Sequence, residues 1–288
     1  MRLSVRVPAT VANLGSGFDA LALALDIENE VEADTEAPPA VTVEGEGEGE
    51  LPRDASNLVF RSMAYLAGEA GGSLPPFQLR CKNAIPLERG LGSSAAATVA
   101  GILLANELLG AGLGTDRLLE VAVDIEGHPD NVAGCVFGGV VLAYLSGDGW
   151  RAERLEPHRS LRPVLLLPEE ERVPTTDARR VLPREVPLSD AAYNIGRAAL
   201  TVVALTARPD LLPEALEDRL HQARRLALAP ASRALYQDLR EEGLPVCVAG
   251  SGPSLLAFET EAARVPELGP GWRILRPHIA EGAELRRL

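Results

Sequence analysis

The chain has 288 residues, 46% hydrophobic and 24% charged, the values of a globular protein with room for two ordinary domains or one large one. Its formal net charge of −13 argues against a nucleic-acid partner, and the basic charge is almost all arginine, with Lys82 the only lysine. Cys81, Cys135 and Cys247 form no CxxC pair, so nothing supports a zinc ribbon or a disulfide framework, and they read as small buried hydrophobes in a reducing compartment.

The first ten residues, MRLSVRVPAT, lack the apolar core of a signal peptide. Leu3, Val5 and Val7 alternate with polar residues and stop at Pro8, the pattern of a first strand. VANLGSGFDALALAL (11–25) reads as a turn followed by an apolar segment, strand or helix. EGEGEGE (44–50) reads as a solvated acidic loop. After Asp54 and Ser56, Leu58, Val59, Met63 and Leu66 fall at helical spacing, and Gly71-Gly72 ends that helix. Phe77, Leu79 and Cys81 alternate as a strand leading to Ile85.

PLERGLGSSAAATVAG (86–101) then places Gly-x-Gly-Ser-Ser before a run of alanines. Glycine is poor material for a helix interior and alanine the best, so this junction is a loop entering a helix, with Ser93 or Ser94 near the N-cap. Free N–H groups and a positive dipole end collect there, which suits a phosphate; an ordinary capped helix is the plain alternative.

The Ala-rich helix runs to about Leu109, and Thr115 caps a second one carrying Leu118, Ala122 and Ile125 on one face. GGVVLAYL (138–145) reads as a buried strand; the longest nearly apolar stretch, 132–145, is too short and glycine-rich to span a bilayer. A soluble, cytoplasmic protein with no membrane partner is therefore expected. Turn residues at 146–149 and the polar stretch to Pro163 mark a boundary between domains 1–155 and 156–288. Beyond it, VLLLP is a strand, 190–205 and 211–226 are helices, another helix lies near 231–242, and VCVAGSGPSLLAF (246–258) is strand, turn and strand.

The glycine loop is not a Walker A motif, which needs GxxxxGK[ST]. It can be written GxGxxA, but so can residues 15–20, and two hits in one chain show how little that pattern discriminates. With no lysine after the loop, an acidic protein must meet a polyphosphate with amides, arginine or a metal.

Pro86-x-x-x-Gly90-Leu91-Gly92-Ser93-Ser94-Ala95-Ala96 resembles the ATP-binding motif of the GHMP small-molecule kinases. VPATVANLGSGFDALALAL near the start and VAGSGPSLLAF near the end resemble two further motifs of that superfamily, and EGHPDNVAGCVFGG resembles the H-x-D-N-V-A segment of its homoserine kinases. The resemblance covers nearly the whole chain. It implies an α+β protein of two domains, the first like ribosomal protein S5 domain 2 and the second ferredoxin-like, with the active site between them. It further implies an enzyme that uses ATP and Mg²⁺ to phosphorylate the side-chain hydroxyl of L-homoserine on the route to threonine. A homodimer is a family expectation. Two rival readings are another GHMP kinase acting on an isoprenoid precursor and a non-catalytic GHMP-fold ligand sensor.

By the same resemblance, residues 86–96 (Pro86, Leu87, Glu88, Arg89, Gly90, Leu91, Gly92, Ser93, Ser94, Ala95 and Ala96) wrap the triphosphate and Asn57 approaches the adenine; as the residue opening a helix, Asn57 reads equally well as a cap. Asp19, by its place alone a cap, becomes the holder of the substrate ammonium, with Asn13 at the reacting hydroxyl or a neighbouring group. Ser94 and Glu120, the latter eight residues before His128, become the Mg²⁺ ligands, an oxygen set that suits this ion. His128 and Asn131 face the substrate and the γ-phosphate, and Asp130 is the nearest candidate base. TTDARRVLP places Thr175 and Arg179 at the substrate. HQARRLALAP is a departed form of a further family motif, in which counting back from Pro230 selects Arg225 over its neighbour Arg224. An α-carboxylate entering so acidic a protein needs such a bidentate cation.

Overall fold

In the computed structural model, which describes residues 1–147, 149–261 and 263–288, the alternating N-terminal residues form β1 (Arg2–Ala12). The glycine turn reverses the chain into β2 (Leu21–Asp34), antiparallel to β1, with Val5 opposite Val31 and Leu3 opposite Ala33, so that one face is continuous apolar core. The apolar segment after residue 20 is therefore strand. β3 (Ala40–Gly45) follows, then α1 (Leu58–Glu69), β4 (Gln78–Asn83), α2 (Ser93–Leu109), α3 (Thr115–Glu126), α4 (Asp130–Phe137), β5 (Val140–Ser146) and β6 (Gly149–Leu155). Ala95, Ala96, Val99, Ala100, Ile102, Leu104 and Ala105 are all buried, which leaves α2 surrounded by protein and explains its nearly uniform apolar composition.

β7 (Pro163–Pro168) opens a second layer, with α5 (Thr175–Arg180), α6 (Leu188–Thr206), a 3₁₀ turn at Pro209–Leu211, α7 (Leu212–Ala215), α8 (Gln222–Leu226) and α9 (Pro230–Glu241). β8 (Val246–Val248), β9 (Leu255–Phe258), β10 (Trp272–Leu275) and β11 (Glu284–Arg287) complete the chain. The first sheet runs β11-β1-β2-β4-β3, with β5 on the other half of β2 and β6 beyond it; the second runs β10-β7-β9-β8. Within these sheets only β3 and β4 pair in parallel. A cut at 155/156 separates the two sheets except for β11, which returns from the C-terminus to β1.

Several elements differ from the sequence reading. The 211–226 helix is broken, because Asp218 accepts backbone N–H bonds from Leu220 (3.1 Å), His221 and Gln222 (both 2.8 Å) and so competes with helical bonding. Gly114, not Thr115, is the N-cap of α3. β3 takes the first two residues of the acidic run, and β6 occupies part of the stretch read as a polar boundary. Asp148, in the turn expected at 146–149, lies outside the described residues. The three cysteines are free and buried, and desolvation pushes each thiol up to about 12.

Candidate active site

α2 begins where the glycine loop turns inward. Gly92, at φ +69°, is its N-cap, and a Cβ there would run into the Thr10 hydroxyl and Asn131. Thr10 ties these pieces together: its N–H donates to Leu91 O (3.1 Å) and its hydroxyl to Asn131 Oδ1 (2.9 Å). The first helical bond of this end is Ala96 N to Gly92 O (2.9 Å), so the amides of Ser93, Ser94 and Ala95 precede the ladder. They line a cavity of about 860 Å³. Asn57 and Arg61 from α1 face the same end.

The same cavity is lined by Asn13, Asp19, His128, Asp130, Asn131, Thr175, Arg179 and Arg225. The turn that supplies the first two is strained. Asn13, Leu14 and Asp19 have φ of 71°, 43° and 55°, and Glu88 in the glycine loop has 54°; these are the four non-glycine residues with positive φ among those described. Asn13 is fixed by donating to Gly250 O (3.0 Å) and accepting from the Asp19 N–H (3.1 Å). Arg179 binds both oxygens of Asp19, at 2.8 and 3.2 Å. Arg225 is buried and donates to Gly250 O at 2.7 Å. The Nε of each arginine is buried without a partner, and both guanidiniums lie over the Phe18 ring, 5.9 Å (Arg179) and 5.5 Å (Arg225) from its centroid.

Burial and the neighbouring Asp19 charge push the Asp130 carboxyl up to about 7, despite the bond from the Asn131 N–H (2.7 Å). Burial, and then the positive charge of Arg179, lowers His128, so this imidazole is neutral at pH 7.

Asn13, Asp19, Asn57, His128, Asn131, Thr175, Arg179, Arg225, Ser94 and the loop 86–95 all reach this cavity. Arg225 points in and Arg224 is exposed, which agrees with the count back from Pro230. Asn57 caps α1, accepting from Val59 N (3.0 Å), and also lines the cavity. Arg89 lines the cavity with its guanidinium tied back, donating to the carbonyls of Glu169 (2.9 Å) and Glu171 just beyond β7.

Two assignments are corrected. Ala96 is fully buried and does not line the cavity, whereas Ala95 and Ala97 do. Glu120 is also outside it, held by Arg151 (2.8 Å) and Arg117 (3.1 Å), bonds that lower its carboxyl below the usual range. The carboxylate at Ser94 is Glu126, whose oxygens accept from Ser94 Oγ at 2.6 and 2.7 Å and from Thr98 Oγ1 at 2.7 Å. Six residues separate the two, roughly 240° around an α-helix, so only one can face α2. Gly127, the left-handed C-cap, announces in sequence that the helix ends at Glu126. Sequence reading also missed Thr10, Phe18 and His221.

Residues 57–139 match the family model described as the GHMP kinases N terminal domain. A homoserine kinase of Streptomyces avermitilis is 46% identical over 98% of this chain and 94% of its own length, and one of Streptomyces coelicolor is 47% identical over 88% and 83%. The crystal structure of homoserine kinase from Cytophaga hutchinsonii superposes with a TM-score of 0.82 at 28% identity, covering 99% of this chain and 97% of that one.

Proposed function

The chain belongs to the homoserine kinases, within the GHMP kinases, and from that premise we propose how its cleft performs the reaction. The enzyme transfers the γ-phosphoryl group of ATP to the side-chain hydroxyl of L-homoserine, giving O-phospho-L-homoserine and ADP. One observation carries the reading of its site: a carboxylate, Asp19, and two arginines, Arg179 and Arg225, share the cavity that the α2 N-terminus opens into. A zwitterionic acceptor uses both signs of charge. An isoprenoid precursor has no ammonium and would leave Asp19 without a purpose. Asp19 thus takes the ammonium, the two arginines the carboxylate, and Asn13, His128 and Thr175 fix the chain that carries the hydroxyl.

The free amides of Ser93, Ser94 and Ala95 and the dipole of a 17-residue helix receive the triphosphate, which accounts for the missing lysine. Ser94 and Glu126 offer a hydroxyl and a carboxylate beside those amides, the hard oxygen donors that fit Mg²⁺. Bound there, the ion would offset charge on the phosphate oxygens. Glu126 is held by two hydroxyls in the meantime, which keeps it aimed at the loop.

No obligatory base is needed. A loose phosphoryl-transfer transition state is stabilised by position and charge, here from Asn131, His128 and the helix amides. Asp130, whose carboxyl burial pushes up to about 7, is the group that would serve if a base acts, because proton removal favours a pKa near the working pH.

The homodimer expected for the family finds support in α6. Leu188, Ala192, Ile195, Gly196, Ala199 and Val203 are exposed along one stripe with no charged member, Leu188 to 85% and Ile195 to 72%. The stripe is self-complementary about the 195/196 bond: a two-fold axis there sets Leu188 against Val203, Ala192 against Ala199 and Ile195 against Gly196 of a second copy. Ile195→Glu should convert such a dimer to monomer in sedimentation; an unchanged mass would remove α6 as the interface. The division into domains 1–155 and 156–288 is likewise our reading, supported by the two sheets and qualified by β11.

ATP consumption measured in parallel with homoserine, serine, mevalonate and 4-diphosphocytidyl-methylerythritol tests the acceptor. Turnover with homoserine alone is expected, and preference for either isoprenoid precursor would overturn the site reading.

A further inference from the structure

His221 is a buried side chain at the back of the substrate end, between two segments that the chemistry uses separately. Its Nε2 lies 2.7 Å from the carbonyl oxygen of Gly15, in the turn that carries Asn13 and Asp19. A carbonyl only accepts, so Nε2 bears the proton and Nδ1 is left as an acceptor. Nδ1 faces Arg225 Nη1 at 3.2 Å, and that same Nη1 donates to Gly250 O at 2.7 Å. The imidazole also packs against Phe18, ring centroids 5.4 Å apart. With Nη1 occupied twice and Nε buried, Nη2 is the guanidinium nitrogen that Arg225 keeps for a ligand. His221 is itself held in place: Asp218 accepts its backbone N–H at 2.8 Å and receives further bonds from Leu220, Gln222 and Asn194.

We propose that His221 is a positioning residue for substrate recognition: its neutral imidazole accepts from Arg225 and donates to Gly15, fixing the arginine's free edge relative to the turn that holds Asp19. It touches no reacting atom. Through it the sites for carboxylate and ammonium are held at one separation, that of an α-amino acid. The inference rests on the reading of Arg225 as a carboxylate ligand.

Asparagine and glutamine divide the two functions, because Asn Oδ1 reproduces the acceptor near Nδ1 and Gln Nε2 the donor near Nε2. Kinetics of His221→Asn, His221→Gln, His221→Leu and Arg225→Ala are to be compared for homoserine, for a homoserine ester and for ATP. In the Gln and Leu variants KM for homoserine should rise about 10-fold or more, the loss of one hydrogen bond to a charged group, while KM for ATP and kcat move little. The ester, lacking the negative carboxylate, should lose much less, and His221→Asn, which keeps the acceptor for Arg225 and gives up only the bond to Gly15, should lose less for homoserine than His221→Gln. If Leu fails to fold, the Asn and Gln pair decides. Equal effects of Asn and Gln, or equal losses of acid and ester in the Gln variant while Arg225→Ala still discriminates them, would overturn the role of His221 alone. If Arg225→Ala itself affects acid and ester equally, the carboxylate reading falls and the inference with it.

Discussion

Arg179 and Asp19 bind each other through both carboxylate oxygens, at 2.8 and 3.2 Å, in the cavity where each is assigned to one end of the substrate. The pair holds two opposite charges ready at one place, and under the proposed reading homoserine would exchange partners with it: ammonium to Asp19, carboxylate towards Arg179 and Arg225. Both side chains remain about a third exposed (35% and 33%), so as an ion pair they contribute at most about 1 kcal/mol to stability.

That difference in environment gives the first prediction. Removing one partner of a charge pair desolvated by a ligand typically costs about 2–5 kcal/mol, a factor of roughly 30 to several thousand. Arg179→Ala should raise KM for homoserine by at least about 30-fold, leave ATP binding nearly unchanged, and move Tm by only a few degrees. A large loss of Tm with little change in KM would instead make the pair a structural clasp.

Glu126, not Glu120, should govern the metal. Ser94→Ala and Glu126→Gln are each expected to lower kcat by roughly 10² or more, because phosphate and metal stabilisation acts mainly in the transition state. Glu120→Gln loses bonds to Arg117 and Arg151 at the surface and should keep nearly full activity at limiting Mg²⁺. Titrating Mg²⁺ at fixed ATP reads the outcome; a Glu120 variant that needs more metal would reverse the correction.

Arg225→Ala should raise KM for homoserine more than KM for its ester, and Arg224→Ala should change neither beyond about 2-fold, as expected for an exposed charge away from the cavity. An effect confined to Arg224 would move the carboxylate clamp by one residue.

Much of the fold and half of the site's logic stand in the sequence because they depend on local pattern. Alternation marks β4 and the part of β1 up to Pro8, beyond which the strand continues to Ala12 after a register shift; glycine beside alanine marks the start of α2, and NLGSGFD the turn with Asp19. What escaped depends on side chains competing with local structure or meeting across it. Asp218 breaks a helix that spacing alone would continue, and only that break brings His221 under Gly15. Glu126 was passed over for Glu120 because a count back from His128 ignores helix phase. Thr10 lies in an ordinary strand, and nothing local to it says that its hydroxyl will meet Asn131, 121 residues on. β11 joins β1 across nearly the whole chain, and its four residues carry no pattern of their own.

The last prediction concerns Asp130, which combines complete burial with a place on the cavity wall. Desolvation and the Asp19 charge push its carboxyl up to about 7 from the ordinary 3.8, against the opposing pull of the Asn131 N–H, Arg179 and Arg225. Between those values the folded state holds more protons than the unfolded one, so stability from this group is fully present below about pH 4 and is lost as pH rises through 7. The gap corresponds to at most about 4 kcal/mol. Asp130→Asn, which is always neutral, should match the parent near pH 4 and become more stable than it above pH 7, by denaturant unfolding at a series of pH values. The same variant speaks to catalysis. With position and charge doing the chemistry, it should remain slowed but measurable, with its acidic kinetic limb intact. A folded variant that binds both substrates and turns over at background would make Asp130 the base, with its raised pKa serving proton removal.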